Sequence, residues 1–362
     1  MATNLGITNL EELVDSLPAG EKALFRRLYA VTTTLGELSI PQSMEPWIKR
    51  QFGSLGAVTR QKIVRITNVI TFEEALFNRL RSSRPTKCRE ENSPDVQLAA
   101  VSKDDLFSKP KDNTPEDLFG RVVGKHCITA SNVAKYDGLH GMIIFNEFHP
   151  LHFSREQLAD YIDVGWEWAK RAQLAEPQAK YFFSIWNCLW RAGASICHGH
   201  AQVMLTRDRH YAKIEGLRQA SLRYREDYGS NYFADLFQAH RSVGCAIVKG
   251  GVKILAHLTP FKDNEVIILA EELNLSLKNV IYEVLACFRD KLGVSSFNLG
   301  LATPPLADTE ESWEGFPVII RLVDRGDTGS RVSDIGGMEI YASSVVSSDP
   351  FELGRQLEEC LT

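Results

Sequence analysis

Within residues 192–205, Ala-Gly-Ala-Ser-Ile-Cys-His-Gly-His-Ala-Gln-Val-Met-Leu, four side chains have the chemistry to act on a phosphate: Ser195, His198, His200 and Gln202. An imidazole titrates near neutrality, so it serves as nucleophile or general base. A nucleophile aimed at phosphorus needs donors for the phosphoryl oxygens, a partner that fixes the ring tautomer, and an apolar slot beside it. Ser195 and Gln202 can be the donors, and a backbone carbonyl or His198 can fix the tautomer. Gly193, Ala194 and Ser195 suit a tight turn whose backbone N–H groups approach an anion without side-chain obstruction. A lone histidine is usually structural, but here two histidines and a glutamine fall in phase in a segment without charge.

Those residues need a strand to present them. Read as a strand over 196–205, the segment puts His198, His200 and Gln202 on one face and Cys197, Gly199, Ala201 and Val203 on the other. Upstream, residues 127–145 read as strand, turn, strand, and so do residues 253–269. A helix follows each. Ser154 and Gln157 form a Ser-x-x-Gln capping box for the first, whose apolar stripe is Leu158, Tyr161, Ile162, Gly165, Trp168 and Ala172. The second carries Leu277, Val280, Ile281, Val284, Phe288 and Leu292 in the same spacing. Apolar strands come next (181–186 and 296–301), then final strands (196–205 and 317–323). A unit of this length is too long for a solenoid repeat and fits two fused copies of an α+β unit with antiparallel sheets. Only the first copy ends in histidines; the second ends in Phe316-Pro-Val-Ile-Ile-Arg-Leu.

The remaining chain reads as flanking parts. Residues 8–70 read as helical: Asn9 caps a run with Leu10, Leu13 and Leu17 that Pro18 stops, and Leu24, Phe25, Leu28 and Tyr29 share a face of the next. Shorter helices are expected over 44–52 and 58–70. From 86 to 116 the composition turns to Lys, Asp, Ser, Pro and Asn without periodicity, as in a linker. The divisions are therefore 1–76, a helical N-terminal extension; 77–116, a basic segment and linker; 117–240, the half with the chemistry; and 241–362, its degenerate copy.

The 362 residues carry 44% hydrophobic and 24% charged side chains with a net charge of −5. That balance gives no basic face for nucleic acid, and no apolar run reaches membrane-spanning length. Seven scattered cysteines with no Cys-x-x-Cys pair suit free thiols in a reducing compartment, the cytoplasm. The start of the sequence lacks the basic and apolar blocks of a signal peptide.

The pattern Ser-x-x-His-x-His-x-Gln resembles the histidine-triad superfamily, in the branch of galactose-1-phosphate uridylyltransferase and diadenosine tetraphosphate phosphorylase. The resemblance implies a duplicated histidine-triad-like α+β fold and a nucleotidyltransferase. His200 would attack the α-phosphorus of a nucleotide to give a covalent nucleotidyl-histidine, Gln202 would hold the phosphoryl oxygen, and Ser195 would bind phosphate. Asn187, thirteen residues before His200, matches an Asn near the nucleotide phosphates, and Asn132 matches one that contacts the nucleoside. Arg81 and Arg84 match an Arg-x-x-Arg-Pro segment whose arginines reach phosphates. Glu339 falls in the C-terminal segment that recognises hexose, although Met338 stands where that family has Tyr.

No cofactor is demanded by these residues. The resemblance admits a structural zinc, with Cys88, His149 and His198 at the matching places but no cysteine pair. It also implies a homodimer. The expected substrate is a nucleotide or nucleotide sugar, with UMP or AMP passed to a sugar 1-phosphate or to phosphate. Alternatives are a diadenosine tetraphosphate phosphorylase and a non-catalytic nucleotide-binding or sensing protein on the same fold. A simple hydrolase fits less well, because Gln202 takes the place of the third His.

Overall fold

The computed structural model describes residues 6–83, 105–330 and 332–362. In chain order, α1 (Leu10–Ser16) and α2 (Ala19–Leu28) lead into β1 (Tyr29–Glu37). Then come α3 (Glu45–Phe52), β2 (Arg60–Asn68) and β3 (Glu74–Phe77). The N-terminal region is thus not wholly helical. Residues 60–68 pair along their length with residues 29–37, and Val64, Ile66 and Asn68 alternate into the core. The β-branched runs Val31-Thr-Thr-Thr and Ile63-Val-Arg-Ile-Thr carry a period of two, and strand pairing outweighs the weak helical spacing there. The expected helix over 44–52 is present as α3.

The first half supplies β4 (Cys127–Ser131), β5 (Leu139–Phe145), α4 (Arg155–Ala175), β6 (Ala179–Asn187) and β7 (His200–Arg207). Ser154 and Gln157 close the capping box on α4. Two helices follow, α5 (Ala212–Tyr228) and α6 (Tyr232–Ser242), and then β8 (Ala246–Lys249). The second half repeats the path as β9 (Val252–Ala256), β10 (Val266–Ala270), α7 (Leu275–Ala286), β11 (Phe297–Ala302) and β12 (Val318–Asp324). A short helix α8 (Gly337–Tyr341), β13 (Ser344–Val346) and α9 (Pro350–Leu361) follow.

The two halves share one nine-stranded sheet, in the order β4-β5-β7-β6-β11-β12-β10-β9-β8. Strands β6 and β11 join them as an antiparallel pair with Asn187 opposite Asn298. Helices α4 and α7 lie together on one face of this sheet. Their stripes bury Trp168, Leu158, Ile281 and Val284 against inward residues such as Ile143, Val203 and Leu301. On the other face of the first half, Phe107, Ile128, Ala130 and Ile144 form a smaller cluster with Met142 and Ile196. His200 and Gln202 lie on that face, opposite Ile144 and Met142 of β5.

On the same face of the second half, Arg321 of β12 occupies the strand equivalent to β7. It pairs with Glu265 and with Glu73, which the β2–β3 turn delivers from the N-terminal unit. His257, also buried, faces the same Glu73 carboxylate at 3.5 Å. The N-terminal strands form a four-stranded sheet in the order β1-β2-β3-β13, so a strand from near residue 345 completes it by pairing in parallel with β3. The Ile7 N–H donates to the Asp349 carboxylate at 3.0 Å, beside that same junction.

Candidate active site

The turn before β7 works as expected from its small residues. Gly193 sits at φ 95°, in the left-handed region that other residues adopt only with strain. Gly199 has no room for a side chain: a Cβ there would stand 2.7 Å from the Phe145 ring and 2.9 Å from the Glu147 carbonyl. Its backbone is held on both sides, with the Gly199 N–H donating to the Phe148 carbonyl and the Phe145 N–H donating to the Gly199 carbonyl.

Strand β7 begins at His200, four residues later than the alternation suggested. His200 and Gln202 lie on its chemical face, and His198 belongs to the turn. The turn still brings the two imidazoles under one aromatic ring: Phe107 meets His200 and His198 edge-on at 5.3 and 5.9 Å. The His198 Nε2–H donates to the Phe145 carbonyl at 2.8 Å, and its Nδ1 faces the Asp105 carboxylate at 3.2 Å.

His200 is buried, and its Nδ1 lies 2.8 Å from the His198 carbonyl. A carbonyl only accepts, so the ring proton is on Nδ1 and the lone pair on Nε2. Burial pushes the His200 pKa below the usual imidazole value. The ring is therefore neutral at physiological pH, with a lone pair on Nε2 at its far edge. A lowered value moves the acid limb of His200 chemistry below about pH 6.5. A transfer reaction that uses the His200 lone pair would hold its rate down to that pH and fall only in more acid solution. A pH profile of single-turnover transfer that begins to fall above neutrality would contradict this.

Gln202 Oε1 accepts from His140 Nε2 at 2.8 Å. Asn132 is beside it, with its amide nitrogen 3.2 Å from the same His140 nitrogen and its oxygen accepting from the Ala134 N–H. Asn187, at the end of β6, accepts from Asn298. Asn298 in turn donates to the Ala192 carbonyl and accepts from Arg325, which grips Asp334 with a two-pronged ion pair. Ser195 is exposed on the turn.

Arg81 and Glu339 meet in a separate polar cavity of about 250 Å³, lined also by Lys262, Asp263, Asp334 and Ser347. Burial raises the Glu339 carboxyl, but the Gly336 N–H and Lys262 outweigh it and hold it below the usual carboxylate range. Asp334 links this cavity, through Arg325 and Asn298, to Asn187. Arg84 and Cys88 lie outside the described residues.

A zinc ion would need lone pairs from His149 and His198. His198 uses Nε2 as a donor to a carbonyl, and His149 Nδ1 accepts from the Leu151 N–H. Among the described residues no group of three or more His, Cys, Asp or Glu side chains is placed to hold a metal. The described residues do not fit a zinc site.

Four participants escaped the sequence reading. His140 could have been found by alternation, since it shares the chemical face of β5 with Met142, which pairs with Gln202. Asp105 and Phe107 sit in the stretch read as linker, where no periodicity points inward. Asn298 follows only from knowing that β11 lies beside β6.

The duplicated sheet, with His200 and Gln202 on one half and the Arg321 ion pairs on the other, has a histidine-triad-like fold of the uridylyltransferase type. Solved structures share it. An ADP-glucose phosphorylase from Arabidopsis thaliana with bound ADP-glucose is 17% identical, over 80% of this chain and 96% of that one, with a TM-score of 0.61. A GalT-like protein from Arabidopsis thaliana is 18% identical over 71% and 92%, and a uridylyltransferase 14% over 83% and 98%, each with a TM-score of 0.56. No protein-family model matches the sequence, and no curated protein matches it. Among the described residues, no helix is long and apolar enough to cross a membrane.

Proposed function

We propose that the protein is a nucleotidyltransferase that passes a nucleoside monophosphate through a covalent adduct on His200. The observation that carries this reading is the tautomer. The His198 carbonyl holds the proton on Nδ1 and leaves Nε2 with its lone pair, in a buried ring that stays neutral. In the first displacement Nε2 attacks the α-phosphorus, a P–N bond forms, and the P–O bond to the leaving phosphate breaks. In the second, a phosphate oxygen of the acceptor attacks the same phosphorus and the P–N bond breaks. Gln202 directs its amide N–H groups to the phosphoryl oxygen, because its own oxygen is already engaged by His140.

The acceptor is a sugar 1-phosphate or inorganic phosphate. The polar cavity favours this class: Arg81 and Lys262 suit a phosphate, and Glu339 and Asp334 suit hydroxyl groups. Nucleotide sugars are the donors to try first, with ADP-glucose beside UDP-glucose because the ADP-glucose phosphorylase shares the fold. A homodimer belongs to the same proposal, and a monodisperse monomer by light scattering would remove it.

The test is the intact mass of the protein after brief incubation with UDP-glucose, ADP-glucose or diadenosine tetraphosphate. A gain of one UMP or AMP is the expected result. Binding of nucleotide without any gain in mass would favour a sensing protein instead.

A further inference from the structure

His140 is fully buried, and its ring stands between two parts of the site that the chemistry above treats separately. Residues 132–138 wrap around it. The Asn132 N–H and Lys135 Nζ both donate to its carbonyl, at 3.0 and 3.1 Å. The Tyr136 N–H donates to its Nδ1 at 2.9 Å, and the Tyr136 ring stacks on the imidazole with centroids 4.6 Å apart. A backbone N–H only donates, so Nδ1 must carry the lone pair and Nε2 the proton. That proton points at Gln202 Oε1, 2.8 Å away. Asn132 Nδ2, itself a donor, lies 3.2 Å from the same Nε2 and makes no hydrogen bond to it in this tautomer, so Gln202 Oε1 is the acceptor of the ring proton.

We propose that His140 is a positioning residue that locks the Gln202 amide with its nitrogen toward the phosphoryl group and makes that orientation depend on the fold of the 132–138 loop. The proposal rests on the transfer reading given above. An amide free to turn over has two orientations of similar shape, and one of them aims oxygen lone pairs at an anionic phosphoryl oxygen. Holding the other requires a donor fixed at Gln202 Oε1. The imidazole supplies it because its opposite edge is pinned as an acceptor by a backbone N–H. A phenylalanine would fill the same space and hold neither group. Burial keeps the His140 pKa below the usual imidazole value, which preserves the acceptor edge.

The test is a double-mutant cycle on the single-turnover rate of His200 adduct formation, with His140→Phe, Gln202→Ala and the double variant. His140→Phe is expected to slow adduct formation by about tenfold to a hundredfold, with donor affinity nearly unchanged. In the Gln202→Ala background the same change should have almost no further effect. Equal losses in both backgrounds would overturn the proposal while leaving the transfer reading intact. No adduct in the wild type would overturn both. Should His140→Phe fail to fold, ¹⁵N spectra of the wild-type imidazole decide the matter. They should show the proton on Nε2, with a resonance that moves in Gln202→Ala, and a proton on Nδ1 would refute the lock.

Discussion

His200→Ala is expected to lower nucleotidyl transfer by roughly four orders of magnitude or more, in line with removal of other covalent nucleophiles. Nothing else in the described site can take its place. His198 donates its Nε2–H to the Phe145 carbonyl and turns Nδ1 to Asp105, so neither of its nitrogens faces the substrate side as a free lone pair. Gln202 is an amide and Ser195 has no imidazole within hydrogen-bonding distance to activate it. The substitution removes a buried ring, so some stability is lost, but Gly199 and its two backbone hydrogen bonds still hold the turn. Donor affinity should therefore survive, measured by calorimetry beside the single-turnover rate. A variant that keeps more than about a hundredth of the wild-type rate would end the covalent reading.

Arg321→Met is the second large effect, and it concerns stability rather than rate. Glu265 is almost fully buried, and its side chain pairs with this guanidinium and accepts from the Phe261 N–H. Glu73 on the N-terminal unit is held by the same arginine and lies well below the usual carboxylate range for that reason, against the opposing push of burial. Removing the cation leaves two carboxylates facing each other beside His257. We expect a loss of about 3 kcal/mol, the lower end for breaking a buried pair because Arg321 is itself partly exposed. Urea denaturation measures it. Adding Glu265→Gln and Glu73→Gln should return part of the loss, since no orphaned charge then remains. A loss under about 1 kcal/mol for Arg321→Met would show that the pairing is a surface contact.

These two residues also show how unevenly the chain was legible. His200, Gln202 and the glycine turn could be read because a strand of period two and a tight turn are local facts. The duplication could be read because each half repeats strand, turn, strand, capped helix, and Ser154 and Gln157 do form the box their spacing implies. Arg321 could not be assigned a partner, because Glu73 lies far away in sequence and in a region read as helix. Residues 29–37 and 60–68 read as helical in the sequence because short β-branched runs carry both periods, and only their pairing with each other resolves them as strands. Asp105 and Phe107 had no local pattern at all. They matter solely because the chain folds back over His198 and His200, and a single aromatic in a polar stretch gives no warning of that.

The strand order of the smaller sheet governs when the molecule can fold. Strands β1, β2 and β3 are synthesised early, yet the neighbour that covers the edge of β3 is β13, and the carboxylate that meets Ile7 belongs to Asp349. During translation the large sheet has all its strands before this clasp exists, so the half that holds His200 can settle while the N-terminal unit still presents an open edge. Closing so long a loop costs little more entropy than closing one of half its length. It costs time instead, during which β3 is open to pairing with another chain. A chain released before residue 344 would keep that edge permanently, with His200 and Gln202 in place and its first sheet unfinished.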